Sequence, residues 1–164
     1  MQKNLSVYTD ASFGAGAASI ANSVVLNDLI IESSAVGYKT TNADVSTHEL
    51  HGIVYAVASV LKVIKRKKLK NVNIKVLCDN MVSIAKAAEC DLLMPYLEGL
   101  RQRGCNVFIT YVAGSNRFHN ICHHTATSFR LKEVDVESLP KKEAQLANFA
   151  AVFKKVVGKK GVAK

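Results

Sequence analysis

The sequence predicts one α/β domain: a mixed five-stranded sheet, three antiparallel strands then two parallel, flanked by helices and followed by a basic helical extension. Three observations predict it. The first β-patterned segments are separated only by turn signals, which suits an antiparallel meander. Two later strand segments alternate with helix-periodic ones, which suits parallel crossovers. Beyond Pro140 the pattern becomes basic and amphipathic, with Leu146, Phe149, Ala150, Phe153 and Val156 on one face.

In chain order, residues 4–10 (NLSVYTD) form a strand that ends in a carboxylate, and Gly14 and Gly16 mark a turn. Residues 17–26 and 29–37 form two more strands, split by Asn27-Asp28. The polar stretch 39–47 follows, and Ser46 or Thr47 is placed to cap a helix from about 48 to 65. That helix carries Leu50, Ile53, Val54, Val57, Val60, Leu61 and Ile64 at helical spacing. Residues 72–78 (VNIKVLC) form the fourth strand, 80–89 and 92–103 two short helices, 105–112 (CNVFITYV) the fifth strand, and 118–131 a closing helix. Pro95 is acceptable in the first turn of its helix. On the closing helix the apolar stripe is expected to be Phe118, Ile121, Cys122, Thr125 and Phe129, with His123 and His124 flanking it. The α/β domain is assigned to residues 1–135 and the basic extension to 136–164.

With 164 residues and 49% hydrophobic composition, the chain can bury a core. No apolar run reaches the length of a membrane span, and the N-terminus shows no signal-peptide h-region, so a cytoplasmic protein without a membrane partner is expected. The four cysteines form no CxxC pair, which argues against a disulfide scaffold and for buried free thiols. The formal net charge is +9, clustered at Lys62–Lys70 and in the tail from Lys141 to Lys164, where seven lysines face one glutamate. A polyanion is the expected partner, most naturally nucleic acid. Nothing in the pattern calls for an obligate protein partner, and a monomer is expected.

Three carboxylates stand where one metal site could gather them. Asp10 ends the first strand and Asp79 the fourth, and two strands running the same way bring their ends to one rim of a sheet. Glu49 lies in the apolar stripe of its helix, with Ile53, Ala56 and Val60 at i+4, i+7 and i+11. A glutamate there is costly unless something pairs with it. Close carboxylates repel by about 1–4 kcal/mol per pair at 4 Å, and divalent cations remove that penalty. Oxygen ligands suit Mg2+ or Mn2+ rather than zinc.

The stretches YTDAS at 8–12, HEL at 48–50 and LCDN at 77–80 resemble the three acidic motifs of type 1 ribonuclease H, and the predicted strand order resembles that fold. A weakened form of the family's last signature lies in VAGSNRFHNICHHTAT, Val112 to Thr127. The resemblance covers residues 4 to about 132. It implies a ribonuclease H-like fold and an endonuclease that hydrolyses the RNA strand of RNA–DNA hybrids with two divalent metal ions, Mg2+ or Mn2+. It gives Asp10 the role of bridging both metals, with Glu49 and Asp79 completing the site. For the nucleic acid it points to Ser12 and Asn80 in the acidic motifs; the stretch ahead of Glu49 differs, with the hydroxyls of Ser46 and Thr47 where the family usually has Asn.

The chain departs from the family at the fourth carboxylate. Matching Cys122 and Ala126 to the family's small residue and alanine puts His123 in that position. Matching Asn120 to the family's asparagine puts His124 there instead. Two matches favour His123. A neutral imidazole nitrogen removes a negative charge from the site and favours Mn2+ over Mg2+. His119, Cys122 and His123 also fall at i, i+3 and i+4, a spacing that can present zinc ligands, though no fourth is apparent. The family's loop histidine has no clean counterpart: its place falls near Ser115, with His119 a loose substitute. Met81 sits where a polar residue is common. The extra basic helix of some members is missing, and Lys65, Lys67, Lys68 and the lysine-rich tail are expected to provide the nucleic-acid grip. Two rival readings share the fold: a non-catalytic nucleic-acid-binding domain, and a superfamily nuclease acting on structured DNA.

Overall fold

A computed structural model describes residues 3–133, so the boundary at 135 and the basic extension lie outside the described residues. The sheet has the order β3-β2-β1-β4-β5. Its strands are β1 (Lys3–Gly14), β2 (Ala17–Leu26), β3 (Leu29–Lys39), β4 (Val72–Cys78) and β5 (Asn106–Tyr111). The helices are α1 (Val45–Arg66), α2 (Met81–Ala87), α3 (Met94–Arg101) and α4 (Arg117–Leu131). β1, β2 and β3 pair antiparallel, while β4 pairs parallel with both β1 and β5. The expected mixed sheet, its helices and their order are all present.

Alternation along β1 divides the core into two layers. Leu5 and Val7 face α1 and join Ile53, Val57, Val60 and Ile64 with Ile74 and Val76 of β4. Tyr8 faces the other way and packs with Val25, Phe118 and Cys122 beneath α4. Helices α2 and α3 pack against α1 and β5. The β2–β3 hairpin turns on Asn27 and Asp28, both left-handed at φ 51° and 60°, as two-residue hairpins of this kind require.

Besides shifts of one or two residues at other ends, three differences from expectation bear on the site. Strand β1 does not end at Asp10 but continues to Gly14 along β2, with Asp10 opposite Ala21. Pairing with β4 stops earlier, at Tyr8 opposite Leu77, so β1 and β4 part just before Asp10. Helix α1 opens at Val45 and is capped by Asp44, not by Ser46 or Thr47. The Asp44 carboxylate accepts from the Ser46 amide at 3.1 Å and from the Ser46 and Thr47 hydroxyls at 2.8 and 2.7 Å. Those bonds hold it well below the usual carboxylate range, at about 2.

Helix α4 is rotated relative to the expected stripe. It buries Phe118, His119, Cys122, Ala126 and Arg130 and leaves Ile121 exposed. Polar partners on the sheet explain the rotation: Arg130 Nε donates to Ser12 Oγ at 2.9 Å, Ser19 Oγ donates to the Ala126 carbonyl, and His119 meets the carboxylates described below. The cysteines are all free; Cys78, Cys105 and Cys122 are buried and Cys90 is half-buried. Among the described residues, no helix is long and apolar enough to cross a membrane.

Candidate metal-binding site

The site lies where β1 and β4 separate at the carboxyl ends of their parallel run, the rim at which open α/β sheets bind ligands. Asp10 projects from β1 toward α4, Asp79 follows the last residue of β4, and Glu49 comes from the first turns of α1. Glu49 Oε1 accepts from the Ala11 amide at 3.2 Å, a donor that β4 no longer reaches. The Cys78 thiol faces the other Glu49 oxygen at 3.7 Å. Gly52, one turn further along α1, lets the helix approach β1 closely: a Cβ there would stand 2.8 Å from Thr9 Oγ1.

Asp10 and Glu49 are buried, at 3% and 4% exposure, and Asp79 is one-third exposed at its side chain. Burial raises the Asp10 pKa, against the opposing pull of His119. Burial and the adjacent Asp10 charge push Glu49 up to about 9 in the metal-free chain. Asp79 is held below the usual carboxylate range by His119.

Two histidines one turn apart on α4 address the two oxygens of Asp10. His123 Nδ1 lies 2.8 Å from Oδ2, with its side chain 57% exposed. His119 is 2% exposed, and its Nε2 lies 3.7 Å from Asp10 Oδ1 and 3.5 Å from Asp79 Oδ1. Burial alone would lower the His119 pKa; Asp79 and then Asp10 outweigh it and raise the value. His124 is exposed and meets the edge of the His123 ring, with centroids 5.8 Å apart.

The residues present fit a divalent cation. Ligand atoms of Asp10, Asp79 and His119 lie within 4.8 Å of one another, as do those of Glu49, Cys78 and Asp79. In the metal-free chain, burial pushes the Cys78 thiol of the second group up to about 12. Neither ring nitrogen of the buried His119 makes a hydrogen bond of normal length and angle. His119, Cys122 and His123 do not form a cation-holding group among the described residues: the Cys122 thiol points to the Tyr8 carbonyl at 3.4 Å.

The expected nucleic-acid residues divide into two sets. Ser46 and Thr47 donate their hydroxyls to the Asp44 cap of α1, and Asn80 caps α2, its Oδ1 accepting from the Ser83 amide at 3.0 Å. Ser12 lies on β1 in contact with Arg130. Lys65, Lys67 and Lys68 stand at the other end of α1; at 1.5 Å per residue, Lys65 is about 24 Å along the axis from Glu49. Residue-pattern reasoning missed Lys86, whose ammonium reaches Ser46 Oγ at 2.9 Å and Asp44 at 3.6 Å. It also gave His119 no firm place beside the acids. The one available signal was its i, i+4 relation to His123.

No family model and no curated protein matches the sequence. Solved structures do match in shape. The N-terminal RNase H domain of rv2228c from Mycobacterium tuberculosis, solved as a fusion with maltose-binding protein, superposes with a TM-score of 0.58 at 13% identity, over 89% of this chain and 99% of that one. LC11-RNase H1 in complex with an RNA/DNA hybrid gives 0.52 at 12% identity, over 66% and 84% of the two chains. A second structure of LC11-RNase H1, isolated from compost by a metagenomic approach, gives 0.54 at 10%, over 74% and 91%. The strand order, the two helical layers and these neighbours agree: the chain has a ribonuclease H-like fold.

Proposed function

We propose that the chain is a metal-dependent endonuclease that hydrolyses the RNA strand of RNA–DNA hybrids. The observation that carries this reading is the convergence of Asp10, Glu49 and Asp79 where β1 and β4 part. The fold adds support, since one structural neighbour was solved with an RNA/DNA hybrid bound. Asp10, Glu49 and Asp79, with His123 in the fourth position, would hold two divalent ions, Mg2+ or Mn2+. Bound there, such ions supply an activated water and stabilise the leaving oxygen.

The chain's own residues prepare that site. Asp10 presents one oxygen to His119 and the other to His123, one turn apart on α4, and would hold metal through them. The Ala11 amide fixes one Glu49 oxygen. Asp79, the most exposed of the three acids, faces the open side where a phosphate would enter. Ser46, Thr47 and Asn80 would border that opening, together with Lys86. Hydroxyls and amides at such a rim suit 2′-hydroxyl and minor-groove contacts. Lys65, Lys67 and Lys68 would meet phosphates only on a duplex lying along α1.

A histidine at the fourth position favours one rival, a nucleic-acid-binding domain without catalysis. Incubating the full chain with matched hybrid, duplex DNA, branched DNA and duplex RNA, each with Mg2+ or Mn2+, separates the readings. Cleavage of the hybrid's RNA strand alone is expected. Binding without cleavage in either metal would favour the rival, and cleavage confined to branched DNA would favour a structure-specific nuclease.

A further inference from the structure

Resting on the reading of the carboxylates as metal ligands, we propose that His119 is itself a ligand: its Nε2, with one oxygen each from Asp10 and Asp79, forms a nitrogen-containing cation site that selects Mn2+ over Mg2+. The carboxylates alone do not require this. The buried imidazole does.

His119 sits in the first turn of α4, on a helix whose start is fixed by Asn116, and only 2% of its surface is exposed. Neither ring nitrogen makes a hydrogen bond of normal length and angle: Nε2 is stretched to 3.5 Å from Asp79, and the Gly114 backbone lies beside the ring. Burying a polar group unpaired is costly, so a buried imidazole aimed at two carboxylates implies an absent partner. The spacing says what kind. A direct N–H···O bond would bring the atoms to about 2.7–3.2 Å. Two ligands to one ion at about 2.1 Å stand roughly 3.0 Å apart at octahedral angles and roughly 3.4 Å at tetrahedral ones. The observed separations from Nε2 are 3.5 and 3.7 Å, so these wider gaps leave room for an ion once the side chains draw in.

Asp10 supports the same geometry. Its Oδ2 is engaged by His123 at 2.8 Å, while its Oδ1 faces His119 across the longer gap. Without a metal, His123 hydrogen-bonds to Asp10, while the buried His119 leaves room for an ion between itself and the two carboxylates. Imidazole nitrogen suits the first-row transition ions, whereas Mg2+ prefers oxygen in octahedral geometry and keeps its waters. The donor set therefore predicts a site that takes Mn2+ readily and Mg2+ poorly.

The test is direct. Crystals of the full chain soaked in MnCl2 are expected to show an anomalous peak bonded to His119 Nε2 and to oxygens of Asp10 and Asp79. In solution, calorimetric titration should find Mn2+ binding weakened at least about tenfold in His119→Asn, with Mg2+ binding nearly unchanged. A peak held by carboxylates with His119 Nε2 outside bonding distance would overturn the proposal, as would unaltered Mn2+ affinity in a folded His119→Asn or His119→Gln variant. If both variants fail to fold, the soaked wild-type crystal decides alone. Asp10→Asn separates the two levels of inference. Undiminished Mn2+ binding in that variant would sink the carboxylate site itself, whereas weakened binding there with none in His119→Asn would sink only the role of His119.

Discussion

His123 Nδ1 and Asp10 Oδ2 meet at 2.8 Å, which ties the exposed face of α4 to the most deeply buried aspartate of the candidate site. His124, the next residue, contacts the His123 ring edge and turns away. The two histidines are therefore not interchangeable. His123→Asp should place a fourth carboxylate beside Asp10 and shift the metal preference of hybrid cleavage from Mn2+ toward Mg2+. His124→Asp should leave that preference unchanged. Cleavage rates across a series of Mg2+ and Mn2+ concentrations measure it. A shift in the His124 variant and none in the His123 variant would reverse the assignment.

The pairing of Glu49 with Asp10 makes the metal-free chain sensitive to pH. Glu49 ionises near 4.5 in the unfolded chain and at about 9 in the folded one, so folding at neutral pH takes up a proton. This contribution is fully present below pH 4.5 and is lost as pH rises toward 9. In EDTA, the thermal midpoint should fall across that range, and Glu49→Gln should flatten the fall. Adding Mn2+, which binds the ionised carboxyls, should raise the wild-type midpoint more at the alkaline end. An identical pH profile in the Gln variant would show that Glu49 does not set it.

Gly52 predicts how tightly the site depends on helix placement. A Cβ at this position would meet Thr9 Oγ1 at 2.8 Å, and Thr9 is buried, β-branched and unable to swing aside freely. Gly52→Ala should destabilise the fold by about 1–3 kcal/mol through overpacking. By moving α1 off β1, it should also part Glu49 from the Ala11 amide and lower cleavage by more than the unfolded fraction explains. Denaturant melts and rates from the same preparation check both. Wild-type activity in the folded variant would mean that the helix can shift without disturbing Glu49.

The lysine-rich segment 141–164 is expected to bind phosphates. A chain ending at residue 140 should bind hybrid more weakly and show a flatter salt dependence, by a slope of about 0.9 for each phosphate that the tail would otherwise neutralise. Binding measured across a range of KCl concentrations tests this. Parallel lines for the two chains would assign those lysines to solvent.

The sheet and the three acids were legible because each breaks or keeps a local pattern. Alternating strands and turn pairs such as Asn27-Asp28 are written in neighbouring residues, and Glu49 stands out as a charge in an apolar stripe. His119 was harder to place because its reason for burial lies on β1 and after β4, far away in sequence. The same nonlocal partners explain why α4 hides His119 and Arg130 while Ile121 faces outward. The cap of α1 was ambiguous for a different reason: Asp44, Ser46 and Thr47 are all good capping residues, and only the backbone path chooses among them. That β1 runs past Asp10 depends on β2 continuing alongside it after β4 has left, which no single segment reveals.

The most direct measurement of the central claim is cleavage of an RNA–DNA hybrid labelled on either strand, comparing wild type with Asp10→Asn. Only one oxygen is replaced, so the variant should fold and give an unchanged circular dichroism spectrum. The account predicts internal cuts in the RNA strand by the wild type with Mn2+, an intact DNA strand, no cutting in EDTA, and background activity in the variant. Asp10→Asn cleaving the RNA strand at a rate near wild type would contradict it.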